Sequence, residues 1–159
     1  MAVNNDEIIS QLKAAAEKVF TANLRLFVRP VSCDIEFEGA ETLLSTVDFT
    51  GSLDGALGLC LSSENAFKIV SKMLDADPNQ FTCDVYDGIG EVVNMVAGLL
   101  KNGLSLYGHK MQLGIPKTRE GVENDFRVPE GFSKVKLNYS GSGISFILMF
   151  VYKQAIYES

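Results

Sequence analysis

The stretch DGIGEVVNMVAG, residues 87–98, lies inside a long helical pattern but contains residues that weaken helices. Gly88, Gly90 and Gly98 interrupt it, and each interior glycine costs about 1 kcal/mol relative to alanine. At about 100° per residue, the apolar side chains nevertheless share one arc. They are Val85, Ile89, Val92, Val93, Val96, Leu99 and Leu100. The pattern therefore predicts a helix over about residues 84–106 whose apolar stripe packs on the core.

The opposite side of this helix carries a row that we call the polar ridge, formed by Asp87, Glu91, Asn94, Gly98 and Lys101. A merely solvated face is the simplest interpretation, because charged residues on helices usually just face water. Asparagine and glycine nevertheless cost helix stability, and lysine or glutamate would serve solubility better. We expect Gly98, with Gly90 and Ala97 beside it, to leave bare backbone that another molecule can approach. We assign Gly88 instead to tight packing of the helix on the sheet.

The remaining chain alternates blocks of helix and strand without a βαβ repeat. The patterns predict a helix over 5–24 capped by Asn5 or Asp6, a strand over 33–39, and a hairpin of strands 43–50 and 55–61. A helix capped by Ser62 or Ser63 follows, and after the long helix come a short strand before Pro116 and a hairpin of strands 133–141 and 144–152. Within the polar connection 117–132, VENDFRVPEG, residues 122–131, is expected to be loop-like, and REGVENDFRVPEGF, residues 119–132, is expected to be mobile. This order predicts an α+β fold, a mostly antiparallel sheet with helices packed on it, as one domain over residues 1–159.

Composition limits the possible partners and location. The net charge of −6 disfavours nucleic acid as a partner. Residues 144–152 form the longest apolar run, far shorter than the roughly 20 residues of a spanning helix, so no membrane insertion is expected. The N-terminus lacks a signal-peptide pattern, and Cys33, Cys60 and Cys83 form no CxxC pair, as expected for inert thiols in the cytoplasm. His109 is expected to be a surface residue near a helix C-terminus.

The polar ridge lacks the groups of a conventional enzyme. No histidine, cysteine or serine is placed beside it as a nucleophile with a base, and one carboxylate with one amide makes a poor metal site. We therefore expect this chain to bind no metal and no cofactor. An asparagine amide can, however, fix the approach of a water molecule, and a glutamate can form a salt bridge with a cation on a partner. Such a pair is useful where the partner supplies the electrophile.

The segment GEVVNMVAG, residues 90–98, resembles the E-x-x-N helix signature of the CheC/CheX/FliY chemotaxis phosphatases, and most closely the CheX group. The hairpin and helix in VDFTGSLDGALGLCLSSENAFKIVSKML and the later segment MQLGIPKTREG are also similar to that family. The resemblance extends over about residues 5–152.

This resemblance implies that the protein dephosphorylates the aspartyl phosphate of a CheY-type response regulator. Asn94 would orient the hydrolytic water, Glu91 would pair with the active-site lysine of the regulator, and Mg²⁺ would be bound in the regulator. None of the residues Ser10, Phe20, Phe67 and Glu123, three positions after a glutamate, is an asparagine, so one site per chain is expected. The CheX group further implies a homodimer.

Two alternatives stay open from the sequence. The same fold could bind a response regulator or a switch protein without hydrolysing anything, because binding and hydrolysis need the same ridge. A purely structural domain would leave Glu91 and Asn94 merely solvated.

Overall fold

The computed structural model describes residues 3–37, 39–75 and 83–155, with the backbone alone at positions 83 and 84. The strands in these residues are β1 Arg29–Val31, β2 Thr42–Gly51, β3 Leu53–Ser62, β4 Met111–Leu113, β5 Lys117–Glu120, β6 Ser133–Gly141 and β7 Ile144–Gln154. The α-helices are α1 Asn5–Ala16, α2 Ser63–Leu74 and α3 Cys83–Ser105. The predicted α+β class, with a mostly antiparallel sheet and packed helices, is confirmed.

The described strands form one antiparallel sheet in the order β1-β6-β7-β3-β2-β4, and β5 also pairs with β2. Both predicted hairpins are present, as β2–β3 and β6–β7. Strand β7 lies between β6 and β3, with Leu148 opposite Leu137 on one side and opposite Leu59 on the other. This central position explains why the last strand is a nearly continuous apolar run.

Two short strands share the outer side of β2. Leu113 of β4 lies opposite Phe49, and Lys117 of β5 lies opposite Thr46. Residues 114–116 connect the two strands, and the Gly114 N–H donates to the carbonyl oxygen of Asp48 at 2.7 Å. Strand β5 was not predicted, because only its pairing with β2 makes a strand of a polar sequence.

The predicted strand over residues 33–39 is also wrong. Residues 33–37 form no strand, and position 38 lies outside the described residues. Ile35 and Phe37 instead pack partly buried against a small second cluster. Their alternation therefore reflects burial of side chains without backbone pairing. The strand that precedes them, β1, was not predicted, and it contains Pro30 at the edge of the sheet, where the missing N–H is tolerated.

The two faces of the sheet bury different clusters. The face toward the helices holds the main core, in which the rings of Phe20 and Phe146 stack at 4.3 Å between centroids. The other face holds Leu44, Cys60, Phe126, Ile147, Met149 and Val151. Gly58 makes room there, because a β-carbon at this position would lie 2.7 Å from the ring of Phe126. The later part of the 117–132 connection is thus packed onto the sheet through Phe126.

The helices begin close to the predicted positions. The Ser62 hydroxyl accepts a hydrogen bond from the Asn65 N–H at 3.1 Å and caps α2, as one of the two predicted caps. The predicted cap of α1 is wrong by one residue, because the Asn4 side chain accepts from the Asp6 N–H. The helical segment predicted to end at residue 24 continues after α1 as a π-helical stretch, Glu17–Asn23.

Candidate functional site

Helix α3 separates its apolar and polar residues as predicted. Val85, Ile89, Val92, Val93, Val96 and Leu100 are buried, and Leu99 packs partly buried against the core. Across the helix, Asp87 and Glu91 are exposed, and Asn94, Gly98 and Lys101 are half-buried. The structure therefore presents the polar ridge outward from a helix that is anchored along its other side.

Glu91 and Asn94 are brought together on this ridge. They stand three residues apart within continuous α-helix, which places their β-carbons about 5–6 Å from each other. Within the described part of the chain, neither side chain takes part in a hydrogen bond or an ion pair. The carboxylate oxygens of Glu91 and the amide of Asn94 are therefore available to a second molecule.

The three glycines of the opening stretch have three different surroundings. A β-carbon on Gly88 would meet the side chains of Val70 and Met73 of α2. The tight packing predicted for Gly88 is therefore present, but the predicted partner, the sheet, is wrong. A β-carbon on Gly90 would lie 3.3 Å from the Thr118 hydroxyl oxygen and 3.5 Å from Cβ of Pro116. Gly98 has no heavy atom within 4 Å of such a carbon. Of these three glycines, only Gly98 leaves the backbone of α3 open to solvent.

The bare backbone predicted at Gly98, Gly90 and Ala97 is therefore limited to Gly98. Gly90 is buried under residues that follow β4, and Ala97 is only 2% exposed. The sequence did not identify Pro116 and Thr118 as neighbours of the ridge, because their approach depends on how β4 and β5 pair with β2. The sequence signal that could have indicated this contact was Gly90 itself, because a glycine within a helix can mark a place where another segment contacts the backbone.

Two side chains with reactive chemistry lie away from the ridge. His109, expected at the surface, is 4% exposed, so that expectation is wrong. Cys60 is buried in the second cluster. Burial, and then the negative charges of Glu123 and Asp125, raise the pKa of the Cys60 thiol from 9.0 to about 11. A thiol that stays protonated near neutral pH is a poor nucleophile.

A cleft lined partly by apolar residues lies on the other side of the sheet. It has a volume of about 410 Å³, with Leu44, Phe126 and Val151 among its lining residues and Arg119 and Arg127 beside them. These apolar residues belong to the second cluster, whereas α3 packs on the main core, so the sheet separates the cleft from Glu91 and Asn94. Neither Glu91 nor Asn94 lines this cleft.

Residues 3–37, 39–75 and 83–155 contain neither a metal-binding cluster nor a membrane-spanning helix. No group of three or more histidine, cysteine, aspartate or glutamate residues is arranged to hold a metal ion there. No helix in the same residues has the length and apolar character needed to cross a membrane. What the ridge can do chemically is place a carboxylate and an amide in the cleft of another macromolecule.

The fold is similar to that of solved CheX structures. A CheX protein from Desulfovibrio desulfuricans superposes with a TM-score of 0.78 at 21% identity, covering 92% of this chain and 99% of that one. The CheX of a CheX-CheY-BeF3-Mg²⁺ complex from Borrelia burgdorferi gives a TM-score of 0.76 at 20% identity, over 92% of this chain and 98% of that one. At these identities the structures establish the shared architecture.

Sequence comparison then gives the family. The model of the family "Chemotaxis phosphatase CheX" matches residues 43–140, and the chain belongs to this family. A curated relative, the CheY-P phosphatase CheX of Thermotoga maritima, is 33% identical over 81 residues, which are 50% of this chain and 52% of the relative. The chain thus spans about half the length of that relative in the match.

Proposed function

We propose that the protein hydrolyses the aspartyl phosphate of a CheY-type response regulator by means of Glu91 and Asn94. Membership of the CheX family and the similarity to a CheY-P phosphatase support this activity. The observation that carries the proposal is the ridge: an exposed carboxylate and a half-buried amide, one helical turn apart and without described partners.

Hydrolysis of an aspartyl phosphate requires little covalent chemistry from the phosphatase. A water oxygen bonds to phosphorus while the bond between phosphorus and the aspartate oxygen breaks, and the products are the carboxylate and inorganic phosphate. The regulator supplies the aspartyl phosphate and its bound Mg²⁺, which offsets the charge on the phosphoryl oxygens. Positioning is then the largest contribution left to the phosphatase.

The two residues have distinct roles in this proposal. The Asn94 amide accepts a hydrogen bond from the water through its oxygen and holds the water in line with the bond that breaks. Glu91 forms a salt bridge with the active-site lysine of the regulator, which fixes the register of α3 in the regulator's cleft. A half-buried amide on a packed helix has few alternative positions, so the water is oriented before the reaction begins.

We extend the proposal to the setting of the reaction. The protein would act in the cytoplasm as one domain over residues 1–159, as a homodimer with one site per chain. Response regulators are cytoplasmic receiver proteins, and the single E-x-x-N pair of this sequence supports one site per chain. Light scattering and domain-level proteolysis would measure the mass and the domain organisation.

The test uses purified regulators of the CheY type that have been phosphorylated with acetyl phosphate in the presence of Mg²⁺. After the acetyl phosphate is removed, loss of phosphoprotein is followed with and without catalytic amounts of the protein. We expect accelerated loss for at least one regulator, with stoichiometric release of inorganic phosphate. Equal decay with and without the protein across the panel would refute phosphatase activity. Phosphorylation-dependent binding without accelerated decay would favour a binding module instead.

A further inference from the structure

The connection between β4 and β5, residues 114–116, borders the polar ridge from outside α3. Ile115 at its centre is 82% exposed. A single exposed apolar side chain is ordinary on a protein surface. What distinguishes Ile115 is its location, because the connection is held against the same helix that carries Glu91 and Asn94.

Contacts on both sides of Ile115 fix this connection. On one side, the Gly114 N–H donates to the Asp48 carbonyl oxygen of β2 at 2.7 Å. On the other side, Pro116 approaches Gly90, where a β-carbon would lie 3.5 Å from Cβ of the proline. The absence of a side chain at Gly90 lets the connection rest on the backbone of α3, directly before Glu91.

The chain after β4 runs antiparallel to α3. At the start of the helix, burial, and then the negative charges of Glu120 and Glu41, raise the pKa of Tyr86, so the charge of Glu120 acts on this end of α3. One turn later, Pro116 and Thr118 lie beside Gly90. Four helical residues advance about 6 Å, which is close to the rise of two strand residues. This direction carries the connection 114–116 toward the next turn of the helix, which holds Asn94.

We propose that residues 114–116 form a second contact with the response regulator, in which Ile115 packs into an apolar depression beside the regulator's phosphorylation site. This inference rests on the proposed function, because it takes the regulator as the molecule that covers Glu91 and Asn94. Stable protein interfaces bury about 800 Å² on each partner, far more than two side chains provide. A partner that covers Asn94 must also cover the connection beside it.

The apolar contact of Ile115 and the charged contact of Glu91 should affect the kinetics differently. Ile115 touches the regulator equally before and during hydrolysis, so its loss weakens binding without slowing the bound complex. Burial of an isoleucine side chain contributes enough for about a tenfold change in affinity. Because this contact is apolar, its contribution is insensitive to ionic strength, unlike that of Glu91.

The experiment compares wild type, Ile115→Ser and Ile115→Val with the regulator that the wild type dephosphorylates fastest or binds most tightly. Initial rates against regulator concentration give KM and kcat, and titration of the regulator loaded with Mg²⁺ and beryllofluoride gives Kd. Phe27→Ala is the matched control. Phe27 is 68% exposed, but it lies beside β1, at the opposite edge of the sheet from β4. The mass of each variant in solution is measured in parallel.

We expect Ile115→Ser to raise KM and Kd about tenfold at both low and high salt, with kcat unchanged. Ile115→Val should retain most of the affinity, and Phe27→Ala should behave as wild type. If the wild type is active and Ile115→Ser has unchanged KM and Kd, this inference is overturned while the proposed function stands. A change in solution mass confined to Ile115→Ser would have the same consequence. Binding of the regulator without hydrolysis by the wild type would overturn the proposed activity alone. No binding and no hydrolysis would overturn both.

Discussion

Gly88 of α3 lies directly against Val70 of α2, where a β-carbon would stand 2.7 Å from the valine Cγ2 atom. Gly98, ten residues further along the same helix, has open space in the same position. One glycine therefore permits two helices to pack closely, and the other leaves a gap on the polar ridge. The same substitution at the two sites should have opposite effects on stability.

Gly98→Ala should raise the free energy of unfolding by up to about 1 kcal/mol, because alanine is the better helix former and nothing obstructs its methyl group. Gly88→Ala should lower the free energy of unfolding despite the same gain in propensity, because Val70 and α2 must move. Urea denaturation of both variants measures the two signs. A stabilised Gly88→Ala protein would contradict the close contact between α2 and α3.

Asn94→Ala should lower kcat by about 100-fold or more, because the attacking water is no longer positioned. The same change should leave the stability of the protein equal or slightly higher, since alanine favours helix. Turnover of phosphorylated regulator and thermal unfolding are measured on the same preparation. Asn102→Ala is the matched control: Asn102 is an exposed asparagine on α3, away from the pair. Equal loss of activity in both variants would show that Asn94 has no special role.

Glu91→Gln should raise KM about tenfold, because an amide replaces the charge that pairs with the regulator's lysine. The KM of the wild type should also rise with ionic strength, whereas the KM of the variant should depend less on salt. Steady-state rates at several salt concentrations separate these effects. Glu130→Gln makes the same charge change at an exposed position outside α3. A salt dependence equal in wild type and Glu91→Gln would exclude a charged contact at this residue.

The pKa of Cys60, raised to about 11, predicts a pH-dependent stability. Below about pH 9 the thiol is protonated in both the folded and the unfolded chain. Between about pH 9 and pH 11 the unfolded chain loses the proton first, so the unfolded state is favoured. This contribution to the free energy of unfolding is therefore present below pH 9 and lost as the pH rises through 11.

Denaturation of wild type and Cys60→Ala at pH 8, 9, 10 and 11 isolates this contribution. The stability difference between the two proteins should narrow as the pH rises, because only the wild type has the titrating thiol. Cys33→Ala controls for loss of an exposed thiol. Parallel profiles for wild type and Cys60→Ala would mean that burial does not perturb this group in the folded protein.

The parts of the fold that follow side-chain periodicity were predictable. The stripe from Val85 to Leu100 repeats at helical spacing, and the polar ridge opposite it follows from the same count. Strands β6 and β7 show the period-two and fully apolar patterns expected of their places in the sheet. The family resemblance agrees with the family match over residues 43–140. The roles of Glu91 and Asn94 stay predictions.

The parts that depend on long-range packing were not predictable. Strand β5 has the sequence KTRE and is mostly exposed, so only its pairing with β2 makes it a strand. Burial of His109 and the contact of Pro116 with Gly90 depend likewise on where the chain returns after α3. Residues 33–37 alternate because Ile35 and Phe37 reach the second cluster, and a loop can do this as well as a strand.

The arrangement of the described strands also bears on aggregation. At one side, the sheet ends in the three residues of β1, and Pro30 among them has no N–H to offer a further strand. At the other side, the outer row is divided between β4 and β5 by residues 114–116. Among the described residues, β1 leaves residues 133–137 of β6 unpaired on its side, so the open stretches on both sides are short and interrupted. The protein should therefore stay free of strand-to-strand association at the high concentrations at which long uninterrupted sheet edges assemble into fibres.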